Sequence, residues 1–228
     1  MKMISTRWLY SELPISLREL SSLMLANQYS EKSGRGFLLS SSNSESLTGK
    51  YIEKTIENIY IEDPLGNKIQ SQSTVYYICK FAWNSKSKLL SITDPPRSLR
   101  KFINEIRSMV GLGVVVADIN FDIEKWISEI ESRNCILTID NISCYGVRTK
   151  FDCLAKINVK GTTDVRRDLE ALLDGKTYKL DSLKFKIEFE NGVSANGEIT
   201  KTGSCKFSTS STTFFTKQLR DSLEPCLP

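Results

Sequence analysis

Two predicted strands, at 69–83 and at 178–190, carry apolar residues at every second position over much of their length. A period of two places the apolar side chains on one face of a strand and leaves the other face in water. Strands that are buried on both faces, as in parallel sheets, do not alternate in this way. The pattern therefore predicts mainly antiparallel sheets that are covered on one face. The apolar residues of that face are Val75, Tyr77, Cys79, Phe81 and Trp83 in the first stretch and Leu183, Phe185, Ile187 and Phe189 in the second.

Between the strands, apolar residues recur at the spacing of a helix. The clearest case is a predicted helix at about residues 97–110, which follows the Asp-Pro-Pro segment 94–96 and stops at Gly111. Proline is tolerated in the first turn of a helix, and glycine is common just after its end. A capping-box pattern at 16–19 begins another helix. The same spacing predicts three more helices, at about 122–130, 164–174 and 211–223.

Together these patterns predict an α+β fold, with mainly antiparallel sheets and with the helices packed on one face. At about 150 residues per domain, 228 residues make one large or two small domains. We place the boundary near residue 121, which gives an N-terminal domain of residues 1–121 and a C-terminal domain of residues 122–228. The second domain is ordered ββαββα, with predicted strands at 135–147, 151–160, 178–190 and 194–208.

The N-terminal strands at 50–62 and 69–83 are separated by a turn signal at 63–67. In the C-terminal domain, the strand at 151–160 begins with Phe151, which the alternation places on the apolar face of that strand together with Cys153.

The chain contains no histidine. This excludes the sites that need an imidazole, namely Ser-His-Asp triads, Cys-His dyads, histidine zinc sites and histidine-ligated haem. An enzyme of this composition would depend on carboxylates, lysine, tyrosine, or a serine or cysteine that another group activates. We identify no catalytic residue and no cofactor in the sequence, and we favour a protein without enzymatic activity.

Six cysteines are spread along the chain without a C-x-x-C pair. Most lie in apolar strand patterns, where cysteine behaves as a small buried hydrophobic residue. The longest uncharged apolar stretch, 110–117, is shorter than the about 20 residues of a membrane span, and the N-terminus lacks the apolar core of a signal peptide. Reduced thiols of this kind are typical of the cytoplasm. We therefore predict a cytoplasmic protein that does not bind membranes.

The 31 basic and 27 acidic residues give a net charge of +4, but the positive charge is concentrated. Residues 64–112 carry eight lysines and arginines against two acidic residues. On the predicted helix 97–110 the basic side chains lie off the apolar stripe, where they can face a phosphate backbone and displace its counterions. A weaker cluster lies near residue 166, beside four strand lysines. The predicted nucleic-acid-binding residues are Arg97, Arg100, Lys101, Asn104, Arg107, Arg166 and Arg167.

Four polar residues, Asp118, Asn120, Asp122 and Glu124, come at the end of a predicted strand at 114–121. Carboxylates in such a position are a common way to hold Mg²⁺. Asp122 also fits the cap of the helix that follows, and the acid-x-Lys pattern of many nucleases is missing nearby. A divalent-metal-dependent nuclease or phosphotransferase is therefore an alternative, and we predict no metal ligands.

The leading hypothesis is a protein that binds DNA or RNA through largely sequence-independent phosphate contacts. Tyr76, Tyr77 and Trp83 could stack on bases if they are exposed. Such a module would fit antiviral host defence or a mobile element. A further alternative is an interaction or assembly subunit, in which apolar strand faces and the Phe214-Phe215 helix bind a second copy or another protein.

Overall fold

A computed structural model describes residues 3–62, 64, 66 and 68–227 of the chain. This part contains five α-helices and a mostly antiparallel arrangement of eleven strands, which confirms the predicted α+β class. The strands are β1 (Ile4–Glu12), β2 (Arg35–Ser42), β3 (Ser46–Glu62), β4 (Lys68–Asn84), β5 (Leu89–Thr93), β6 (Val115–Asp118), β7 (Cys135–Arg148), β8 (Leu154–Lys160), β9 (Lys179–Phe189), β10 (Ser194–Thr200) and β11 (Ser204–Thr209). The helices are α1 (Leu17–Ala26), α2 (Arg100–Val110), α3 (Ile123–Glu131), α4 (Arg166–Leu173) and α5 (Thr212–Leu223), followed by a 3₁₀ turn at Glu224–Cys226.

The chain forms two compact units. The N-terminal unit consists of residues 11–116, and the C-terminal unit consists of residues 1–10 together with 117–228. The sequence pattern predicts one boundary near residue 121, with the first residues in the N-terminal domain. The structure pairs β1 with β11, so that Ile4 lies opposite Phe207. A partner so distant in sequence leaves no local pattern in β1.

In the N-terminal unit, the strands follow one another in the order β2-β3-β4-β5, each antiparallel to its neighbour. The pairing of β3 with β4 is unbroken from Ser46 opposite Asn84 to Glu62 opposite Lys68. The predicted turn between these strands, at 63–67, includes Asp63, Leu65 and Asn67, which lie outside the described residues. The predicted alternation is found in the second half of the 69–83 stretch, where Cys79, Phe81 and Trp83 are buried, but Val75 is 40% exposed, so the prediction that it lies on the covered face is wrong.

The helices α1 and α2 cover one face of this sheet. Phe81 of β4 stacks on Phe102 of α2 with 5.3 Å between the ring centres, and Trp83 lies 5.9 Å from the same ring. Helix α1 is fixed on the same face by a hydrogen bond of 2.6 Å between the hydroxyls of Ser21 and Ser42. Among the described residues of this unit, no helix covers the opposite face.

The C-terminal unit has the strand order β1-β11-β10-β9-β7-β8. Its core is formed by the alternating face of β9 together with aromatic residues of α3 and α5. The ring of Phe185 lies 5.7 Å from that of Trp126 and 6.1 Å from that of Phe215. The lysine- and glutamate-bearing face of β9 is exposed, as the alternation predicts.

The two halves of the chain repeat one order of elements. Residues 4–110 run strand, helix, four antiparallel strands, helix, as β1-α1-β2-β3-β4-β5-α2. Residues 115–223 run in the same way as β6-α3-β7-β9-β10-β11-α5, with β8 and α4 inserted after β7. The order of elements is thus duplicated between the two halves. The C-terminal order also has one strand more than the predicted ββαββα, because the single strand predicted at 194–208 is two strands, β10 and β11. Gly203 has a positive φ of 74°, which allows the tight turn between β10 and β11.

All six cysteines are free thiols, and Cys79, Cys144, Cys205 and Cys226 are buried. Burial raises the pKa of Cys79 to about 12 and that of Cys226 to about 11, so both are protonated at neutral pH. No helix in the described part of the chain is both long enough and apolar enough to cross a membrane.

Candidate nucleic-acid interface

Helix α2 presents two chemically different faces. Phe102 and Ile106 are fully buried against the sheet. Arg100, Asn104 and Arg107 follow one another at spacings of four and three residues, which places them in one line along the opposite side of the helix. All three are exposed. At a rise of about 1.5 Å per residue, this line extends about 10 Å along the helix axis.

The helix begins later than the sequence indicated. Its first residue is Arg100, and Leu99 precedes it without a side-chain cap. Asp94 does not act as a cap; its carboxylate accepts a hydrogen bond of 3.0 Å from Lys80, and its backbone has a positive φ of 46°. Arg97 therefore lies in the segment that leads into α2, where it is exposed. The predicted basic face keeps its residues but is part helix and part loop.

Most lysines of the N-terminal unit are held in ion pairs, whereas the arginines around α2 are not. Within the described part of the chain, Arg97, Arg100 and Arg107 form no ion pair. Their guanidinium groups are thus available to an external anion. The paired lysines are Lys54 with Glu31 (3.1 Å), Lys80 with Asp94 (3.0 Å), Lys86 with Glu45 (2.8 Å), Lys88 with Glu12 (2.8 Å) and Lys101 with Glu53 (2.8 Å).

Lys101 differs from its arginine neighbours because it fastens α2 to the sheet. Its ammonium group lies 2.8 Å from Glu53 on β3 and 5.7 Å from the ring centre of Tyr77 on β4. Partial burial alone would raise the pKa of Glu53, but hydrogen bonds from Lys101 and Tyr51 lower it overall. Of the predicted contacts on α2, Lys101 therefore holds the helix in place.

The second predicted cluster is divided in the same way. Arg166, the first residue of α4, donates to the carboxylate of Asp164 through Nε (3.0 Å) and Nη2 (2.9 Å) and to Glu131 through Nη1 (2.7 Å). The hydrogen bonds to Asp164 contribute most to raising the pKa of Arg166. Arg167 is exposed and forms no ion pair among the described residues. Arg166 therefore holds the start of α4, and Arg167 alone is free.

Two of the four nearby strand lysines are also engaged, whereas Lys160 and Lys184 are exposed and form no ion pair among the described residues. Lys156 donates a short hydrogen bond to Asp181, and Lys186 lies 3.3 Å from the carboxylate of Asp140. The exposed face of β9 is thus a surface of mixed charge, in contrast to the line of free arginines on α2.

The three aromatic residues proposed for base stacking occupy different environments. Trp83 is buried, and its Nε1 donates to the hydroxyl of Ser11 at 3.0 Å, so the expectation that it could stack on bases is wrong. Tyr77 is half-buried and donates its hydroxyl proton to the carbonyl of Ser98 at 2.8 Å. Tyr76 is exposed, but it lies on the sheet face opposite to α2.

The acidic segment 118–124 uses its carboxylates within the fold. Asp118 accepts a hydrogen bond of 2.6 Å from Arg7, and Asp122 caps α3 by accepting from the backbone amides of Glu124 and Lys125. Asn120 lies between them and is exposed. Among the described residues, no three acidic or thiol side chains converge as ligands of one ion would. The contacts thus give these carboxylates structural roles.

A cleft of about 470 Å³ in the C-terminal unit is lined by Lys201, Tyr145 and Tyr178, the residue types that could act as catalytic groups in a chain without histidine. Lys201 lies there, 3.8 Å above the ring of Tyr145 and 3.3 Å from Asp181. A hydrogen bond with Tyr145, and then one with Asp181, raises the pKa of Lys201. A catalytic lysine needs a lowered pKa to act as a base or nucleophile. The cleft therefore does not favour this chemistry.

The residues proposed for an assembly surface are also divided. Phe215 is buried in the core, and the ring of Phe214 lies edge-on to that of Phe189 at 5.1 Å, so this pair packs within its own unit. The open sheet face of the N-terminal unit remains apolar in its centre. The exposed residues there are Leu38, Ile56, Tyr76 and Ile78.

No protein-family model and no curated protein sequence matches this chain. The function must therefore be argued from the geometry of the surface itself.

Proposed function

We propose that this protein binds nucleic acid through phosphate contacts made by the exposed arginines of α2 and the segment before it. The observation that carries the proposal is the contrast in ion pairing, in which Arg97, Arg100 and Arg107 are free while the lysines around them are paired. Guanidinium groups match phosphate oxygens in a bidentate geometry, and they lose less entropy per hydrogen bond than lysine does.

The support beneath these arginines is rigid. Buried Phe102 and Ile106 and the ion pair of Lys101 with Glu53 fix the helix on the sheet, so little ordering is needed on binding. No side chain of the line is placed to read base edges in a defined groove. Binding is therefore largely sequence-independent and falls steeply with salt. The free, mostly buried thiols are consistent with the reducing cytoplasm as its location.

The test is the salt dependence of binding to a 20-base-pair duplex and to its separated strands. We expect the triple variant Arg97→Gln/Arg100→Gln/Arg107→Gln to lower the slope of log K against log salt by about 2.7 for the duplex and about 2.1 for the single strand. The matched control is Lys54→Gln/Lys80→Gln/Lys86→Gln, which removes the same charge from paired lysines. Equal slopes for the two triple variants would contradict the proposal.

The open sheet face favours a second candidate function, an assembly subunit. Ile56 is 62% exposed, and Leu38, Tyr76 and Ile78 are exposed on the same side of the sheet. Exposed apolar side chains on one face can mark a protein interface, and here Lys50 opposite Leu38 and Lys54 opposite Tyr76 lie among them. Light scattering on the purified protein tests this candidate. A monomer at all concentrations, unchanged by Ile56→Ser, would argue against self-association.

A further inference from the structure

The end of the β7–β8 hairpin is a tight and well-bonded turn. The amide of Thr149 donates to the carbonyl of Cys153 at 2.9 Å, and the amide of Asp152 donates to the carbonyl of Thr149 at 3.2 Å. The hydroxyl of Thr149 accepts from the amide of Cys153 at 3.2 Å. Asp152 adopts a positive φ of 59°, which closes the turn. The hairpin tip, defined as residues 148–154, is therefore ordered before any partner binds.

At this tip Phe151 is 90% exposed, and Leu154 is 74% exposed. The alternation pattern placed Phe151 on the apolar face of a strand; this prediction is wrong, because β8 begins only at Leu154. Burial of a phenylalanine side chain stabilises a fold by about 1.5–3 kcal/mol. Because its side chain is exposed, Phe151 does not contribute this stabilisation to the fold. A polar residue would fit the turn equally well.

The tip also carries positive charge. Lys150 is exposed and forms no ion pair within the described residues. Arg148 lies 3.6 Å from Asp152, and both side chains of that pair are largely exposed. An exposed apolar ring thus directly follows an unpaired lysine at this tip, while Arg148 and Asp152 form an exposed ion pair beside it.

A bulge in β7 separates this tip from the sheet. The register with β8 shifts between Cys144 and Val147, and Gly146 between them has a positive φ of 77°. Bulges bend a strand and redirect the side chains beyond them. Beyond the bulge the two strands pair again, with Val147 opposite Ala155 and Arg148 opposite Leu154, and this pairing leads directly into the tip.

We propose that Phe151 stacks on an unpaired base of a single-stranded nucleic acid, while Lys150 contacts the neighbouring phosphate. This inference rests on the proposed function and specifies its substrate as single-stranded. A lone aromatic ring next to an unpaired lysine suits a base followed by phosphate, because every base presents a planar face. Membrane insertion would offer only Phe151 and Leu154 as anchors, and even a whole acyl chain gives marginal membrane binding.

The test compares Phe151→Ser with Phe151→Trp in binding to a labelled 20-nucleotide oligo-dT. We expect Phe151→Ser to weaken binding roughly 5- to 100-fold, the size of one lost stacking contact, without changing the slope against salt. The matched control is Leu172→Ser, which removes another exposed apolar side chain, 58% exposed, from α4. Equal affinity of Phe151→Ser and the wild type would overturn the stacking proposal.

Phe151→Trp provides a direct readout, because the three native tryptophans, Trp8, Trp83 and Trp126, are buried. We expect this variant to bind like the wild type and to show quenching of its added tryptophan by oligo-dT. Absence of quenching on a bound oligonucleotide would contradict stacking.

The outcomes separate the two proposals. If Phe151→Ser binds normally while the triple arginine variant is weakened, the stacking proposal is wrong and the proposed function stands. If the wild type binds neither oligo-dT nor duplex at low salt, the proposed function is wrong, and the stacking proposal with it. If Phe151→Ser loses binding to vesicles of phosphatidylserine while oligo-dT binding is unchanged, the tip is a membrane contact and the stacking proposal is overturned.

Discussion

The two basic clusters of this protein contain the same residue types but serve opposite purposes. Around α2, arginines with no acidic neighbour in the first helical turn remain exposed and unpaired. At the start of α4, Arg166 has Asp164 two residues before it and Glu131 at 2.7 Å, and its guanidinium group is hydrogen-bonded to both carboxylates. The comparison teaches that the local supply of carboxylates, more than the number of cations, decides which basic residues can meet a ligand.

The largest expected effect separates the two clusters by binding. At about 0.1 M salt each lost phosphate contact costs roughly 8-fold in affinity, so Arg100→Gln/Arg107→Gln should weaken duplex binding by about 60-fold. Arg166→Gln/Arg167→Gln should weaken it by no more than about 8-fold, because only Arg167 is free. Fluorescence anisotropy with one labelled duplex measures both. Equal losses for the two variants would refute the distinction.

The free energy of unfolding should show the reverse order, with a larger loss for the Arg166 variant than for a variant of α2. Arg166→Gln leaves two carboxylates without their partner, and we expect a loss of about 1–2 kcal/mol in the free energy of unfolding, reduced by the partial exposure of the group. Arg100→Gln removes an unpaired surface side chain and should change it by less than about 0.5 kcal/mol. Urea denaturation of both variants provides the measurement. A larger loss for Arg100→Gln would break the comparison.

The pH dependence of the free energy of unfolding should reflect the pairing of Asp164 with Arg166. Burial alone would raise the pKa of Asp164, but hydrogen bonds from Arg166 and from the backbone lower it below its ordinary value of 3.8. A carboxyl whose pKa is lowered by folding stabilises the protein above its unfolded pKa, and this contribution is lost as the pH falls through the folded value. We expect Asp164→Asn to reduce the difference in unfolding free energy between pH 7 and pH 3 by up to about 1 kcal/mol.

The control for this pH experiment is Glu190→Gln, which changes an exposed carboxylate of the same unit. A pH difference that is as large in Asp164→Asn as in the wild type would show that the carboxylate is not held by Arg166.

The smallest effect concerns Lys101, which lies on α2 beside the free arginines but is ion-paired, as Arg166 is. Its pair with Glu53 is partly exposed, so Lys101→Gln should lower the free energy of unfolding by about 0.5 kcal/mol. Its effect on affinity should be smaller than that of Arg107→Gln, because the ammonium group is already paired. Denaturation and anisotropy on the same preparations measure both quantities. A loss of affinity that exceeds that of Arg107→Gln would place Lys101 in the interface.

The parts of the fold that follow local rules were predictable from the sequence. The core face of β4 from Cys79 to Trp83 and the stripe of α2 obey periods of two and 3.6, and both are buried, whereas Val75 at the open end of β4 is exposed. The turn at Gly203 and the pairing of β1 with β11 were not predictable, because one depends on a backbone conformation and the other on a distant partner.

The site shows the same division. The exposure of Arg100 and Arg107 follows from the helical period, whereas the bond of Arg166 to Glu131 joins residues 35 positions apart and leaves no sequence signal. Phe151 was misplaced because an apolar residue at the edge of an alternating stretch resembles the first residue of a strand. Only the turn hydrogen bonds of Thr149 show where β8 begins.

The membership of β1 in the C-terminal unit has a consequence for how the protein is made. At roughly 5–20 residues per second, the first strand leaves the ribosome about 10–40 s before β11 is synthesised. During this interval the N-terminal unit, whose strands pair with their sequence neighbours, can fold alone. The edge of β1 that pairs with β11 lacks its partner until β11 has been synthesised. A chain released before β11 is synthesised would thus keep an open strand edge, which is a substrate for chaperones.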